Sequence, residues 1–388
     1  MLVNYKFKSM PKMRVTQLIF IVSIINNPIF GEWHGQLSSV GNIRKNASGY
    51  VAQIGVQYIP TWSLVVPWPT ALFDTEIAID TNSYFNRKHN GEKSINFKFH
   101  AYRLWLRRST DVLDIRVGLQ KITFGTARLL RSLRWFDRID PTDPLQLTEG
   151  VWGIRAIRYF ENNSNLWLWG LFGNSDTKGW EKIPTKQNNI ELGGRFQASV
   201  GNGEIGLSAH NRIISRRDLP KFLEITTMAN ATPEFRAAID GYYDIGVGLW
   251  FEATYTHTDF GIDHPNWESL LTIGSDYTFA IGNGLTTTFE HFMLNSADKP
   301  SHVNNDAHLS ALMVNYQISL LDQFSTILFY NWEFDIPLIF LSWQRIYDDW
   351  TFNLNTFFSS KNVSQFSFNQ SFTDLSSRGI QFTLIFNH

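Results

Sequence analysis

The sequence predicts an all-β chain, a transmembrane antiparallel β-barrel of about 18 strands (roughly 16–18), with short periplasmic turns and long extracellular loops. Three observations carry this. Apolar and polar residues alternate with period two through runs of about nine to twelve residues. The connections between runs switch between tight turns and long polar segments. The composition joins 15% aromatic residues to only 18% charged ones, below the roughly 25% usual in soluble proteins, at a mean hydropathy of −0.18. Many large rings beside many small polar residues suit a sheet with one face in lipid and the other in water.

The first element is a leader. Lys6, Lys8, Lys12 and Arg14 form a basic flank, the apolar run Leu18–Ile25 follows, and Ile29-Phe30-Gly31 resembles a cleavage site. Residues 1–31 therefore read as a signal peptide and 32–388 as one barrel domain. No later stretch reaches the roughly 18 apolar residues of a spanning helix. The absence of cysteine removes disulfides and thiolate metal sites, and a net charge of −1 gives no footprint for nucleic acid.

From residue 32 onward the strands follow one another near 34–43, 50–60, 74–84, 95–107, 112–120, 152–160, 165–173, 189–198 and 203–210. Nine more lie near 235–243, 246–257, 268–281, 284–293, 308–319, 323–332, 337–345, 349–358 and 379–386. In one of them Leu249, Phe251, Ala253 and Tyr255 alternate with Glu252, Thr254 and Thr256, giving one apolar and one polar face. From the fourth strand on, short and long connections are expected to alternate strictly. Gly201-Asn-Gly203 and Gly282-Asn-Gly284 are tight turns whose residues tolerate positive φ. Segments 121–151, 174–188, 211–234, 258–267, 294–307 and 359–378 are the long ones.

Other all-β architectures fit less well. A propeller or β-helix would repeat at a fixed period with a signature, and none is visible. A sandwich has no need of so many outward rings. Lipid explains them, because within it every backbone polar group must find a partner and only a closed sheet provides one. Trp105, Tyr159, Tyr243, Tyr255, Tyr277, Trp332 and Trp350 near strand ends are expected to form girdles at the two interfaces.

In the last strand Ile380, Phe382, Leu384 and Phe386 alternate with Gln381, Thr383 and Ile385. This resembles the C-terminal strand of bacterial outer-membrane barrels, which the barrel-assembly machinery recognises, except that Asn387 and His388 follow the final aromatic. Leader, meander and last strand together resemble the porin superfamily. Gly118-Leu-Gln-Lys121 through Phe124-Gly125 is similar to the matching segment of alginate-export and phosphate-selective porin-like proteins. The resemblance implies a bacterial outer membrane, contact with its lipid and lipopolysaccharide, and passive transport of small hydrophilic solutes. Whether barrels associate as oligomers stays open.

A barrel of this size leaves room for a lumen. Its inward positions are expected to include Lys98, His100, Arg116, Arg195 and Arg236 against Glu191, Glu204, Asp240, Glu252, Asp276 and Glu290, with no clear ion preference. The longest loop stands apart. Arg128, Arg131, Arg134 and Arg138 follow a spacing of three, three and four, which predicts one face of a short helix, with Asp137, Asp140 and Asp143 beside it. As a lid it would lie over the mouth. Folded inward it would form a constriction whose fixed charge selects by sign, because its Leu and Phe residues need burial. Asp137–Asp143 lacks the glycine and bidentate glutamate of a helix–loop–helix calcium site. No hydrolase, zinc or phosphate-loop motif appears, so catalysis, metal and cofactor are not expected. The reading is a channel for small hydrophilic solutes, anionic ones among them. The alternative is a non-conducting accessory barrel for assembly, secretion or polysaccharide export.

Overall fold

The computed structural model describes residues 31–46, 49–174, 176–215, 229, 231–261, 265–299, 305–359 and 378–388. The leader and much of the loops at 211–234 and 359–378 lie outside the described residues.

Eighteen strands form one sheet. They are β1 (Glu32–Asn46), β2 (Gly49–Trp68), β3 (Ala71–Lys88), β4 (Lys93–Ser109), β5 (Leu113–Gln120), β6 (Val151–Tyr159), β7 (Asn165–Leu171), β8 (Glu191–Val200) and β9 (Gly203–Ile214). The second half is β10 (Thr232–Asp244), β11 (Gly248–Thr258), β12 (Trp267–Phe279), β13 (Leu285–Ala297), β14 (Asn305–Gln317), β15 (Asp322–Asn331), β16 (Ile336–Tyr347), β17 (Trp350–Ser359) and β18 (Arg378–Asn387). Every neighbour in sequence is an antiparallel neighbour in space, and β1 pairs with both β2 and β18, so the meander closes. All eighteen expected strands are present.

The last residue completes the seam. His388 exchanges backbone hydrogen bonds with Gly35 at 2.8 and 3.0 Å, and its ring stacks between Tyr58 and Phe386. The outward series Phe382, Leu384, Phe386 thus ends on an imidazole ring, which accounts for the two residues beyond the aromatic.

The period-two pattern sorts the faces. On β11, Leu249 is 40% exposed while Glu252 and Thr254 are 0% and 5% exposed, so the apolar face points outward and the polar face inward. Two expectations fail here. Trp105 faces the lumen, between the guanidinium groups of Arg107 and Arg116. A bulge in the β3–β4 ladder, where Ala78 pairs with Arg103 but Ile79 with Ala101, inserts Tyr102 and flips the phase of everything below it. The strict alternation of connections also breaks, because β15 and β16 join at the outer end through only Trp332–Asp335.

Strand length varies around the barrel, and this positions the site. β2, β3 and β4 have 20, 18 and 17 residues, whereas β5, β6 and β7 have 8, 9 and 7. Above the short strands the chain folds inward instead of extending the wall. Inside the barrel, Leu129 and Leu130 pack with inward side chains of β12–β17 such as Phe292, Phe329 and Phe340. A second cluster joins Phe124, Leu133, Trp135 and Phe136 to Trp169 and Leu171 of β7.

The β4–β5 ladder depends on Gly118, whose φ of +121° and close approach exclude a side chain: a Cβ there would lie 2.1 Å from the Leu104 carbonyl oxygen. Gly118→Ala is expected to destabilise the barrel by about 2 kcal/mol or more. Measured by the gel mobility of unheated samples, the folded fraction after refolding should fall well below that of the parent chain.

Candidate functional site

Residues 121–150 contain no helix; they run as an irregular chain into the barrel. The predicted helical stripe does not form, because the backbone donors that a helix would use are taken by the wall. Glu290 accepts from the amides of Arg128 (2.6 Å), Leu129 (3.0 Å) and Leu130 (2.5 Å) and from the Trp250 indole. Glu252 accepts from the amides of Ala127 (2.9 Å) and Leu133 (2.8 Å). Both side chains are fully buried, so each of these bonds satisfies a polar group that has no water to turn to. Ser132 and Thr272 add a hydroxyl contact at 2.6 Å. Gly125, at φ +105°, lets the chain pass Glu252: a Cβ would sit 2.3 Å from Oε1.

The four arginines consequently point different ways. Arg131 is buried and bound to Asp137 at 2.5 Å and to the Phe124 carbonyl at 3.0 Å. Arg134 lies over the Trp180 ring, and burial pushes its guanidinium down to about 10. Arg138 donates to Thr177 Oγ1 at 2.6 Å. Arg128, the most exposed, pairs with Asp276 and covers Trp250. Asp140 accepts from the Thr142 amide and hydroxyl. Burial, with the charge of Asp140 adding to it, raises the Asp143 carboxyl to about 6.

Most of the expected wall residues neutralise one another. Arg195 holds Asp240 at 2.5 and 2.8 Å, Arg236 holds Glu234 and Glu181, and Glu191 takes both Lys178 (3.0 Å) and His210 (3.1 Å). Glu252 and Glu290 are consumed by the loop. Three residues stand outside this pattern: Lys98, exposed high on β4, Glu204, which accepts from Gln197, and Arg116.

Arg116 sits in a row. Register places Arg107 of β4, Arg116 of β5 and Arg155 of β6 directly opposite one another. Neighbouring strands are about 4.8 Å apart, and like charges facing across them are destabilising. Asp74 meets Arg107 at 2.8 Å, and Asp114 lies 3.3 Å from Arg107 and 3.7 Å from Arg155. Three cations thus share two carboxylates. Arg116 rests on the Trp105 ring at 4.1 Å, and its Nε makes no hydrogen bond. The row holds a positive excess at one height of the lumen wall.

A barrel of eighteen antiparallel strands with an inward loop and a charged wall has close relatives in shape. The fold is that of the bacterial outer-membrane porins. OccAB1 of Acinetobacter baumannii aligns with a TM-score of 0.56 at 9% identity, over 92% of this chain and 96% of that one. OccK7 (OpdD) of Pseudomonas aeruginosa aligns at 0.53 and 10% identity, over 92% and 98%. The anion-selective porin from Comamonas acidovorans aligns at 0.50 and 11% identity, over 93% and 100%. At such identity the likeness is one of fold. No protein-family model and no curated protein matches the sequence.

Within this porin-type barrel, Arg107 and Arg155 are the residues that the sequence reading missed. Their side-chain type was visible, but their alignment with Arg116 depends on a register no single strand encodes. A Ser–His contact also occurs, His291 Nδ1 to Ser310 Oγ at 2.9 Å, on the lipid-facing side of β13–β14. His308 stacks on His291 with ring centroids 5.5 Å apart and an interplanar angle of 30°. His308 Nδ1 lies 3.3 Å from His291 Nε2, within hydrogen-bond reach.

Two outcomes follow for the loop. Replacing both Glu252 and Glu290 by Ala should leave five backbone amides without their acceptors, so trypsin is expected to cleave the reconstituted chain near Arg128–Arg138 at least tenfold faster. The Asp143 carboxyl is raised in the fold, so its protonated form is favoured there: the loop gains stability as pH falls through about 6 toward 4 and loses it as pH rises. Cleavage by a protease active across that range should slow at pH 5 relative to pH 7, and Asp143→Asn should remove the difference.

Proposed function

We propose that the chain is a porin of the bacterial outer membrane, a passive channel for small hydrophilic solutes with anions favoured. The observation that carries this is the arginine row Arg107–Arg116–Arg155, three cations against two carboxylates on the lumen wall. A fixed positive excess in a narrow, water-filled passage raises the local concentration of anions and stabilises their transit. Guanidinium forks suit carboxylate and phosphate groups because they bind two oxygens at once. In this reading the loop 121–150 narrows the passage. Arg128 and Arg138 carry its water-facing charge with Asp140, whereas Arg131, Arg134 and Asp137 hold its shape. Lipid and lipopolysaccharide surround the barrel, the last strand serves its assembly, and self-association into oligomers fits the same reading.

A second reading has its own support. The apolar cluster formed by Leu129 and Leu130 with β12–β17 occupies lumen space that a wide pore would leave to water, as a non-conducting accessory barrel would.

Planar-bilayer recording separates the two. Stable open channels are expected, and Arg116→Glu should move reversal potentials in a salt gradient toward cations, with Arg107→Ala and Arg155→Ala each giving a smaller shift. A correctly folded barrel that never conducts would favour the accessory role.

A further inference from the structure

The wall has a gap. The β4–β5 ladder pairs only Leu104–Ser109 with Asp114–Leu119, six pairs, so residues 93–103 of β4 have no strand partner on that side among the described residues. A crossing takes about 9–11 residues. Counted up from Ser109, eleven residues reach Phe99, so the six-pair ladder stops just over halfway through the bilayer. The Tyr102 bulge lies just where β5 ends, which splays the upper part of β4 from its neighbour. A cavity of about 650 Å³ fills the opening. Both faces of β4 line it, through Phe97, Lys98 and Phe99, opposite Leu119 and Trp152. Phe97 and Phe99 are 66% and 65% exposed.

An open sheet edge is tolerated at membrane depth only where it borders protein or a wet cavity. Lumen water and bilayer hydrocarbon therefore meet at this opening, between apolar lips and free backbone donors. Lys98 makes no ion pair among the described residues, whereas the other basic residues lining the cavity are engaged, His100 by Asp80 (3.6 Å), Lys178 by Glu191 (3.0 Å) and Arg138 by Thr177; with Glu149 and Asp176 exposed on the far side, this disfavours a multiply charged head. The volume falls within the roughly 300–1,000 Å³ of small-ligand sites, too small for a lipid with several chains.

We propose that this gap is a side window that binds a long-chain carboxylate from the outer leaflet. The acyl chain lies against Phe97, Phe99, Leu119 and Trp152, and the carboxylate sits on Lys98 and the free N–H groups of β4. The site is independent of what the lumen conducts.

Because the chain has no cysteine, Phe99→Cys can carry a single bimane label in the full chain, reconstituted into phosphatidylcholine vesicles. Titration with 9,10-dibromostearate should quench it saturably, with competition by oleate. Lys98→Glu should raise the half-saturation concentration about tenfold, the loss of one charge-assisted contact. A label at Leu312→Cys, lipid-facing on the far side of the barrel, should show only unsaturable partitioning. Leu119→Cys reports from the opposite lip should the Phe99 variant fail to fold. Equal, unsaturable quenching at both labels, or by brominated phosphatidylcholine alone, would overturn the proposal. Quenching only by aqueous iodide would place the gap above the bilayer and overturn it too.

Discussion

In hydrocarbon an unpaired backbone amide has no water to turn to, and this single constraint organises the molecule. It demands a closed sheet, which the β1–β18 ladder supplies. Closure then inverts the usual arrangement of faces, so that an apolar belt points out, while carboxylates, guanidinium groups and amides point in beside the rings that pack the loop. Where the constraint relaxes, the chain enters the lumen. β5, β6 and β7 are too short to carry the wall through the bilayer, and the two long segments after β5 and β7 turn inward over them.

The inward loop is joined to the wall by two carboxylates. Glu252 and Glu290 would be costly as bare buried charges. Surrounded by five backbone amides and an indole, they become the joints that hold residues 126–133 in place. Apolar packing on either side follows from that placement. The arginine row has the opposite character: Arg107, Arg116 and Arg155 repel one another, and Asp74 and Asp114 relieve only part of it. An arrangement that no folding requirement asks for is where a solute would be expected to make its contacts.

Much of the fold was legible locally. Period-two alternation located every strand, since side-chain direction along a strand is set by the backbone itself. Glycine–asparagine turns located the periplasmic end. Trp105 was misread because a bulge is a property of two strands in register, and Tyr102 carries no mark of it. The arginine spacing at 128–138 is a genuine helical period, yet the loop obeys Glu252 and Glu290, which lie more than a hundred residues away.

The sequence by itself determined the closed antiparallel barrel, its polarity and the inward position of its charges, because these depend on residue pattern within single strands and on the solvent each face meets. Only the tertiary structure decided which charges cancel and which remain. Arg195 is spent on Asp240, Glu290 on loop amides, and Arg116 is left on a tryptophan between two other arginines. That outcome rests on register and loop path, which are set by contacts between segments far apart in the chain.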